Sequence, residues 1–264
     1  MNRASRRAAA RQPTPFPQAV PQAATKRGSL LICTPAYGGL VYVDYVQSLV
    51  DTVPFLGSKG IETGCYFLKN ESLIPRGRNA CAKFALDSGV EKLLFVDSDI
   101  SWKSEDVLRL YHSDKMIIGG AYPVKRYPIL MNFNPLPQHN HLFPGNKKTL
   151  DNFAEYRKYG NGFSEIEVTH LATGFLMIDC RVFRALLPRV RSYDTGGLIN
   201  GQSDTHHDFF RSGAHPSGTY ESEDWGFCNL ARENGFSVWL NTDILLPHTG
   251  THTFDPNKTA KETL

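Results

Sequence analysis

The first half of the chain alternates between short apolar runs and longer stretches with helical spacing, and this order restricts the possible folds. Strands are predicted at Ser29–Thr34, Glu62–Leu68, Lys92–Val96 and Lys115–Tyr122. Helices are predicted between them at Val41–Phe55, Pro75–Leu86 and Ser104–His112. A βαβαβαβ order favours an α/β fold, a Rossmann-like three-layer α/β/α sandwich with a mostly parallel central sheet.

The second half has weaker patterns. Strand-like runs occur at Ile129–Asn134, Glu165–Thr169, Gly174–Asp179 and Val238–Leu240, and a helix is predicted at Glu221–Asn234. The stretch from Arg191 to Gly218 is rich in Gly, Ser, Asp and His and has little periodicity. Loops of that length are usually functional or disordered. We expect either a lid with hinges at Gly196, Gly197 and Gly201 or a disordered insertion.

Charge is distributed unevenly along the chain. The net charge is +3, yet residues 1–27 contain six basic residues and no acid, so the remainder has three more acids than bases. We expect residues 1–27 to be a disordered basic arm, with an organelle transit peptide as the alternative, and residues 28–264 to be a single domain. The acidic body gives no reason to expect a specific nucleic-acid partner.

The apolar runs and the cysteines bear on location. No apolar run is long enough to span a bilayer, so no transmembrane segment is expected. The five cysteines form no CxxC pair, so free thiols are favoured over a zinc site or a disulfide framework. We therefore expect a cytoplasmic protein, in the host cytoplasm if the source is viral.

An acidic triplet, Asp97-Ser98-Asp99, directly follows the apolar run Leu93–Val96. In open α/β sheets, ligands bind beyond the carboxyl ends of the strands. Two carboxylates at i and i+2 suit a hard cation such as Mg²⁺ or Mn²⁺, which often shares its ligands with substrate phosphates. An ordinary strand-to-loop turn is the alternative, because Asp and Ser are common there.

Two other groups are candidate partners of the triplet. Glu223 and Asp224 lie at the start of a predicted helix, where either one is placed to act as a general base. The alternative is a charge that stabilises the helix dipole. His248 follows the last apolar segment and is a candidate metal ligand, or else a hydrogen-bonded histidine without that role.

The order of these motifs resembles that of GT-A-fold glycosyltransferases. The segments that carry the resemblance are Leu93–Ile100, Thr173–Ile178, Glu223–Cys228 and His248. In addition, Pro75–Asn79 looks like the Arg-Ala-Arg-Asn segment of viral and Anp1-like members. The resemblance implies a GT-A-type catalytic domain that moves a hexosyl or pentosyl group from a nucleotide-sugar, a UDP- or GDP-sugar, to an acceptor hydroxyl.

The resemblance also implies roles for the matching residues. Asp97 and Asp99 would be the DxD motif that holds Mn²⁺ or Mg²⁺ and the nucleotide diphosphate, with His248 as a further metal ligand. Asp224 would be the base of an inverting reaction, and Glu223 the alternative base. The acceptor, whether a glycan, lipid, protein or small molecule, is left open.

Further residues are expected to hold the donor. Arg76 and Arg78 would reach the diphosphate, because guanidinium groups suit phosphate oxygens; exposure at a helix start is the alternative. The other donor-binding positions that the resemblance implies are Thr34, Pro35, Ala36, Tyr37, Ser98 and Gly174. If the stretch from Arg191 to Gly218 is a lid, it would lie over the donor.

Two other functions are compatible with the same motifs. Haloacid-dehalogenase phosphohydrolases also have DxD after an apolar strand, with the first Asp as nucleophile; here that role would fall to Asp97. A non-catalytic nucleotide-binding or glycan-binding module that keeps the fold is the other alternative.

Overall fold

The computed structural model describes residues 28–160, 162, 164–197, 204–214, 218–250 and 252–257. The predicted basic arm, residues 1–27, lies outside these ranges. The strands are β1 (Ser29–Ala36), β2 (Glu62–Lys69), β3 (Lys92–Val96), β4 (Ile117–Ala121), β5 (Phe133–Pro135), β6 (Glu165–Leu171), β7 (Phe175–Asp179), β8 (Ser192–Asp194), β9 (Thr205–His207), β10 (Gly213–Ala214), β11 (Tyr220–Glu221), β12 (Val238–Leu245), β13 (His248–Thr249) and β14 (Thr253–Phe254). The α-helices are α1 (Val43–Ser58), α2 (Ile74–Ser88), α3 (Ser104–His112), α4 (Leu150–Tyr156), α5 (Cys180–Leu186) and α6 (Glu223–Glu233).

Eight strands form the central sheet, in the order β2-β1-β3-β7-β4-β12-β6-β5. The parallel pairs are β1 with β2, β1 with β3, and β4 with β12. β7 pairs antiparallel with both β3 and β4, and β6 pairs antiparallel with both β12 and β5. Six strands therefore run in one direction and two run in the other.

Alternate residues of the central strands enter two separate cores, because successive side chains of a strand point to opposite faces. Leu31 and Phe95 face α2, α5 and α6, whereas Ile32 and Val96 face α1 and α3. Helices thus cover both faces of the sheet. This arrangement confirms the predicted α/β class, a Rossmann-like sandwich in which six of the eight central strands share one direction.

The face of α1 that the valine spacing suggests is not the face that packs. Val50 is 61% exposed, and Val43 and Val46 are also exposed. The buried face instead presents Tyr45, Ser48, Thr52 and Leu56. Hydrogen bonds account for the buried polar groups, since the Trp102 indole donates to Thr52 Oγ1 at 2.8 Å and Ser48 Oγ accepts from the Trp102 amide at 3.0 Å.

The second half contains two helices that the sequence patterns did not predict. Thr149 caps α4 by accepting a hydrogen bond from the Asn152 amide, and Asp179 caps α5 by accepting one from the Arg181 amide. The stretch from Arg191 to Gly218 contributes β8, β9 and β10. Its residues 198–203 and 215–217, including the predicted hinge Gly201, lie outside the described ranges.

Two other features concern the apolar character of the helices and the state of the cysteines. In the ranges the structure covers, no helix combines the length and apolar character that crossing a membrane requires. The five cysteines are free thiols, and only Cys65 among them is exposed.

Candidate active site

The carboxyl end of β3 and the start of β7 meet at one edge of the sheet. The Asp97 amide donates to the Gly174 carbonyl at 3.0 Å, and the Gly174 amide donates to Tyr122 Oη at 3.0 Å. A Cβ at position 174 would lie 2.4 Å from Tyr122 Oη and 2.8 Å from Asp97 Oδ2. Only glycine therefore allows the phenol and the carboxylate to approach this backbone.

His248 comes to the same edge through backbone pairing. Its segment pairs antiparallel with the residues that follow Asp97, in a bridge between Ile100 and His248. The Thr249 amide donates to the Asp99 carbonyl at 2.8 Å. His248 Nε2 consequently lies 3.4 Å from Asp99 Oδ1.

The orientation of the His248 ring is fixed by its other nitrogen. Nδ1 donates to the Pro123 carbonyl at 2.8 Å, so Nε2 presents its lone pair to Asp99 in the neutral ring. The contact is satisfied either by a proton on Nε2, which then donates to the carboxylate, or by a cation bound between the two groups. Burial raises the pKa of Asp99, but hydrogen bonds from His248 and Lys125 outweigh it and hold that pKa below its ordinary value.

The donor set of Asp99 and His248 fits a divalent cation. Two neighbouring ligands of an octahedral ion are about 3 Å apart when each lies about 2.1 Å from the metal. The described residues contain no group of three or more His, Cys, Asp or Glu side chains placed to hold a metal ion. The predicted set of Asp97, Asp99 and His248 is thus not assembled as a trio, and other ligands would have to come from water or substrate oxygens.

Asp97 is held by Arg78 instead. Arg78 Nη2 donates to Asp97 Oδ1 at 2.7 Å, and Arg78 Nε lies 3.6 Å from Glu223 Oε1. The guanidinium is buried and lies over the Phe95 ring at 5.2 Å. Arg78 Nε and Nη1 donate no hydrogen bond to any described residue. These two nitrogen atoms are therefore buried, unsatisfied donors beside the Asp97 carboxylate.

The start of α6 separates its two acids. Glu223 faces Arg78, and its pKa is raised by burial, with Arg78 opposing and Asp224 adding to the shift. Asp224 Oδ1 accepts from Ser222 Oγ and from the Trp225 amide at 2.8 Å. These two bonds occupy one carboxylate oxygen of Asp224. Burial raises the pKa of Tyr122 well above its usual value, and the nearby charges of Asp97 and Asp224 raise it further.

Other predicted donor-binding side chains have different partners. Arg76 forms a two-point ion pair with Glu71, at 2.7 and 2.8 Å. The Thr34 hydroxyl is buried and lies 2.5 Å from Tyr45 Oη, so it is committed to the fold. Tyr37 lies in the loop that follows β1, and its ring is exposed.

The remaining predicted positions are set mainly by their backbone. The Ser98 carbonyl accepts from the Tyr42 amide at 3.0 Å. Ala36 is buried at the end of β1, and Pro35 is half-buried beside it. These residues shape the edge of the sheet next to Asp97.

Two residues of the site were not identified from the sequence. Tyr122 contacts Gly174 and packs edge-on against the His248 ring with centroids 5.2 Å apart. Lys125 donates to Asp99 Oδ2. Both follow β4, so the rule that residues beyond parallel strand ends line a site marks this loop, but it does not place these two side chains beside Asp99.

Trp225 lies beside Asp224 and stacks on the His170 ring, with centroids 5.0 Å apart and planes 23° apart. His170 Nε2 donates to Asn229 Oδ1 at 2.9 Å, and Asn229 donates in turn to Glu221 Oε1 at 2.5 Å. Burial lowers the pKa of His170, which favours the neutral form of its ring. Trp225 is half-buried in this stack and so packs against the protein.

Comparisons with known proteins show a similarity of fold. No protein-family model matches the chain, and no curated protein does. The crystal structure of A197 from STIV aligns with a TM-score of 0.50 and 12% identity, over 88% of this chain and 92% of that one. A crystal structure of GalNAc-T7 with UDP, GalNAc and Mn²⁺ aligns with a TM-score of 0.40 and 10% identity, over 84% of this chain and 43% of that one. At 12% identity, the likeness to A197 is one of fold.

Proposed function

We propose that the protein is a metal-dependent, inverting glycosyltransferase of the GT-A type that uses a UDP- or GDP-sugar. The observation that supports this most is the approach of His248 Nε2 to Asp99 Oδ1, at 3.4 Å, beyond the carboxyl end of a buried parallel strand. The two residues are far apart in the sequence, and their side chains form a nitrogen–oxygen pair of the kind a divalent cation takes.

Asp99 and His248 would hold Mn²⁺ or Mg²⁺, which when bound neutralises the diphosphate leaving group. Arg78 contributes a second positive charge, fixed by its burial and by Asp97. The Nε and Nη1 atoms of Arg78 are buried and donate no hydrogen bond to any described residue, so a phosphate oxygen that reached them would meet unsatisfied donors. The open surface at Tyr37 and Ser98 is where the rest of the donor would bind.

The reaction needs a base on the acceptor side. Asp224 takes the proton of the acceptor hydroxyl, and the hydroxyl oxygen attacks the anomeric carbon. The bond from that carbon to the diphosphate oxygen breaks, and its electron pair leaves with the diphosphate. We assign the base to Asp224 because Glu223, the alternative, is paired with Arg78.

Site variants test these assignments in a transfer and donor-binding assay. Asp99→Ala is expected to lose metal-dependent donor binding and transfer together. Asp224→Asn is expected to bind donor normally and to lose transfer by about a hundredfold or more. Asp114→Asn removes a highly exposed carboxylate as a control and should change neither quantity. Wild-type turnover in Asp224→Asn would refute the assignment of the base.

No observation on the described residues favours the phosphohydrolase alternative. Asp97, its would-be nucleophile, is ion-paired with the buried Arg78 at 2.7 Å, which stabilises the carboxylate and restricts its approach to a phosphorus atom. Release of phosphate from p-nitrophenyl phosphate that disappears in Asp97→Asn would restore that alternative. Nucleotide-sugar binding without transfer or hydrolysis would support the non-catalytic module.

A further inference from the structure

Among the described residues, Lys125 is the one lysine or arginine that forms an ion pair with the proposed metal ligand Asp99. It donates to Oδ2, while His248 faces Oδ1 of the same carboxylate. The same loop supplies the Pro123 carbonyl that orients His248. Residues 123–125 therefore contact both members of the proposed metal pair, one through a carbonyl and one through an ammonium group.

The Lys125 side chain passes close to Gly250. A Cβ at Gly250 would lie 3.2 Å from Lys125 Cδ, so the lysine stem lies against the Gly250 backbone. The glycine, two residues after His248, thus leaves room for the stem beside the metal pair. The Lys125 side chain is 34% exposed, so it is in partial contact with solvent at this edge.

A bound divalent cation and the Lys125 ammonium compete for the same carboxylate. Both are positive, and they would lie within a few ångströms of each other, where repulsion between charges is appreciable even near a protein surface. A nucleoside diphosphate brings negative oxygens to this place. An ammonium on a flexible four-carbon stem moves readily from a carboxylate to a phosphate.

We propose that Lys125 exchanges partners during donor binding, pairing with Asp99 before the cation arrives and donating to the diphosphate once the cation is bound. This inference rests on the proposed function, because it assigns Lys125 to the same metal and donor site. Lys125 then opposes metal binding in the absence of nucleotide and promotes nucleotide binding in the presence of metal. A lysine with a structural role alone would not have effects of opposite sign.

Isothermal titration of Lys125→Met tests the exchange, first with Mn²⁺ alone and then with UDP and with GDP at saturating Mn²⁺. We expect Mn²⁺ alone to bind about three- to fivefold more tightly than to wild type, because the competing ion pair is gone. We expect whichever nucleotide the wild type prefers to bind about tenfold more weakly, since a charge-assisted hydrogen bond is lost. Lys125→Arg should restore most of the nucleotide affinity.

The matched control is Arg126→Met, which removes the same charge from the next, exposed position. Both of its affinities should stay within about twofold of wild type, as expected for a solvated charge. Lys125→Met affinities that both fall, or both remain unchanged, would overturn the exchange while leaving the proposed function intact. Wild-type protein that binds neither Mn²⁺ nor either nucleotide would instead overturn the proposed function, and the exchange with it.

Discussion

Arg76 and Arg78 are two positions apart in the sequence and have different surroundings. Arg76 is about one-quarter exposed and pairs with Glu71, whereas Arg78 is buried between Asp97 and Glu223. Helical geometry accounts for the difference, because side chains at i and i+2 point to different faces of α2. Only Arg78 is therefore placed to act on a ligand at the Asp97 carboxylate.

This contrast leads to a stability prediction for the two arginines. Arg78→Met should lower the free energy of unfolding by about 3 kcal/mol, because it leaves the largely buried Glu223 and the partly exposed Asp97 without their cation. Arg76→Met, the matched change, should cost less, about 1 kcal/mol, because Arg76 is 27% exposed and Glu71, although only 5% exposed, still accepts a hydrogen bond from the Leu73 amide. Urea unfolding of both variants measures the two costs. Equal losses would contradict the assignment of the buried charge to Arg78.

The position of the acidic triplet was predictable residue by residue, and its partners were not. A buried apolar strand followed by Asp97 and Asp99 is a local signal, and Asp224 at a helix start is another. Tyr122 and Lys125 lie at the site because β7 pairs between β3 and β4 in the sheet. The residues around Tyr122 and Lys125 do not predict that order of strands.

At the scale of single elements, α1 shows how an apolar pattern can mislead. Three valines at helical spacing predict a buried face, yet they are exposed, and the buried face includes Ser48 and Thr52. Polar side chains are buried there because Trp102 pairs with both of them. The spacing of the valines alone contains no information about that partner.

A pair of substitutions on α1 tests which face carries the packing energy. Val50→Gln should change the free energy of unfolding by less than about 0.5 kcal/mol, because Val50 is exposed and glutamine is a good helix former. Leu56→Ala should cost about 2–5 kcal/mol, because Leu56 is fully buried. Thermal or urea unfolding compares them, and a larger loss for Val50→Gln would place the packing face on the valine side.

Short elements explain most of what the sequence patterns missed. α4 and α5 have seven residues each, and β8 to β11 have two or three. Hydrophobic periodicity needs windows longer than that to be distinguished from chance. The strands β1 and β3, by contrast, are apolar and buried, and their type is evident from composition.

At the scale of the whole molecule, the sheet joins two cores and brings one functional edge together. Segments from β3, the loop after β4, the start of β7 and the β13 strand meet there, and α6 adds its first turn. The βαβ pattern predicts the first half of this assembly. The second half depends on the antiparallel pairings of β6 and β7. The βαβ pattern does not predict those pairings.

The central claim is that this edge binds a nucleotide through a divalent cation held by Asp99 and His248. A thermal-shift measurement with UDP-sugars and GDP-sugars, with Mn²⁺ and with EDTA, tests it most directly. A ligand at a hundred times its Kd stabilises the folded protein by about 2.7 kcal/mol, which is roughly 5–10 °C in Tm for a chain of this size. We predict such a shift for one class of donor in Mn²⁺, its loss in EDTA, and its loss in Asp99→Asn. A shift of the same size in EDTA, or none with any donor in Mn²⁺, would contradict the claim.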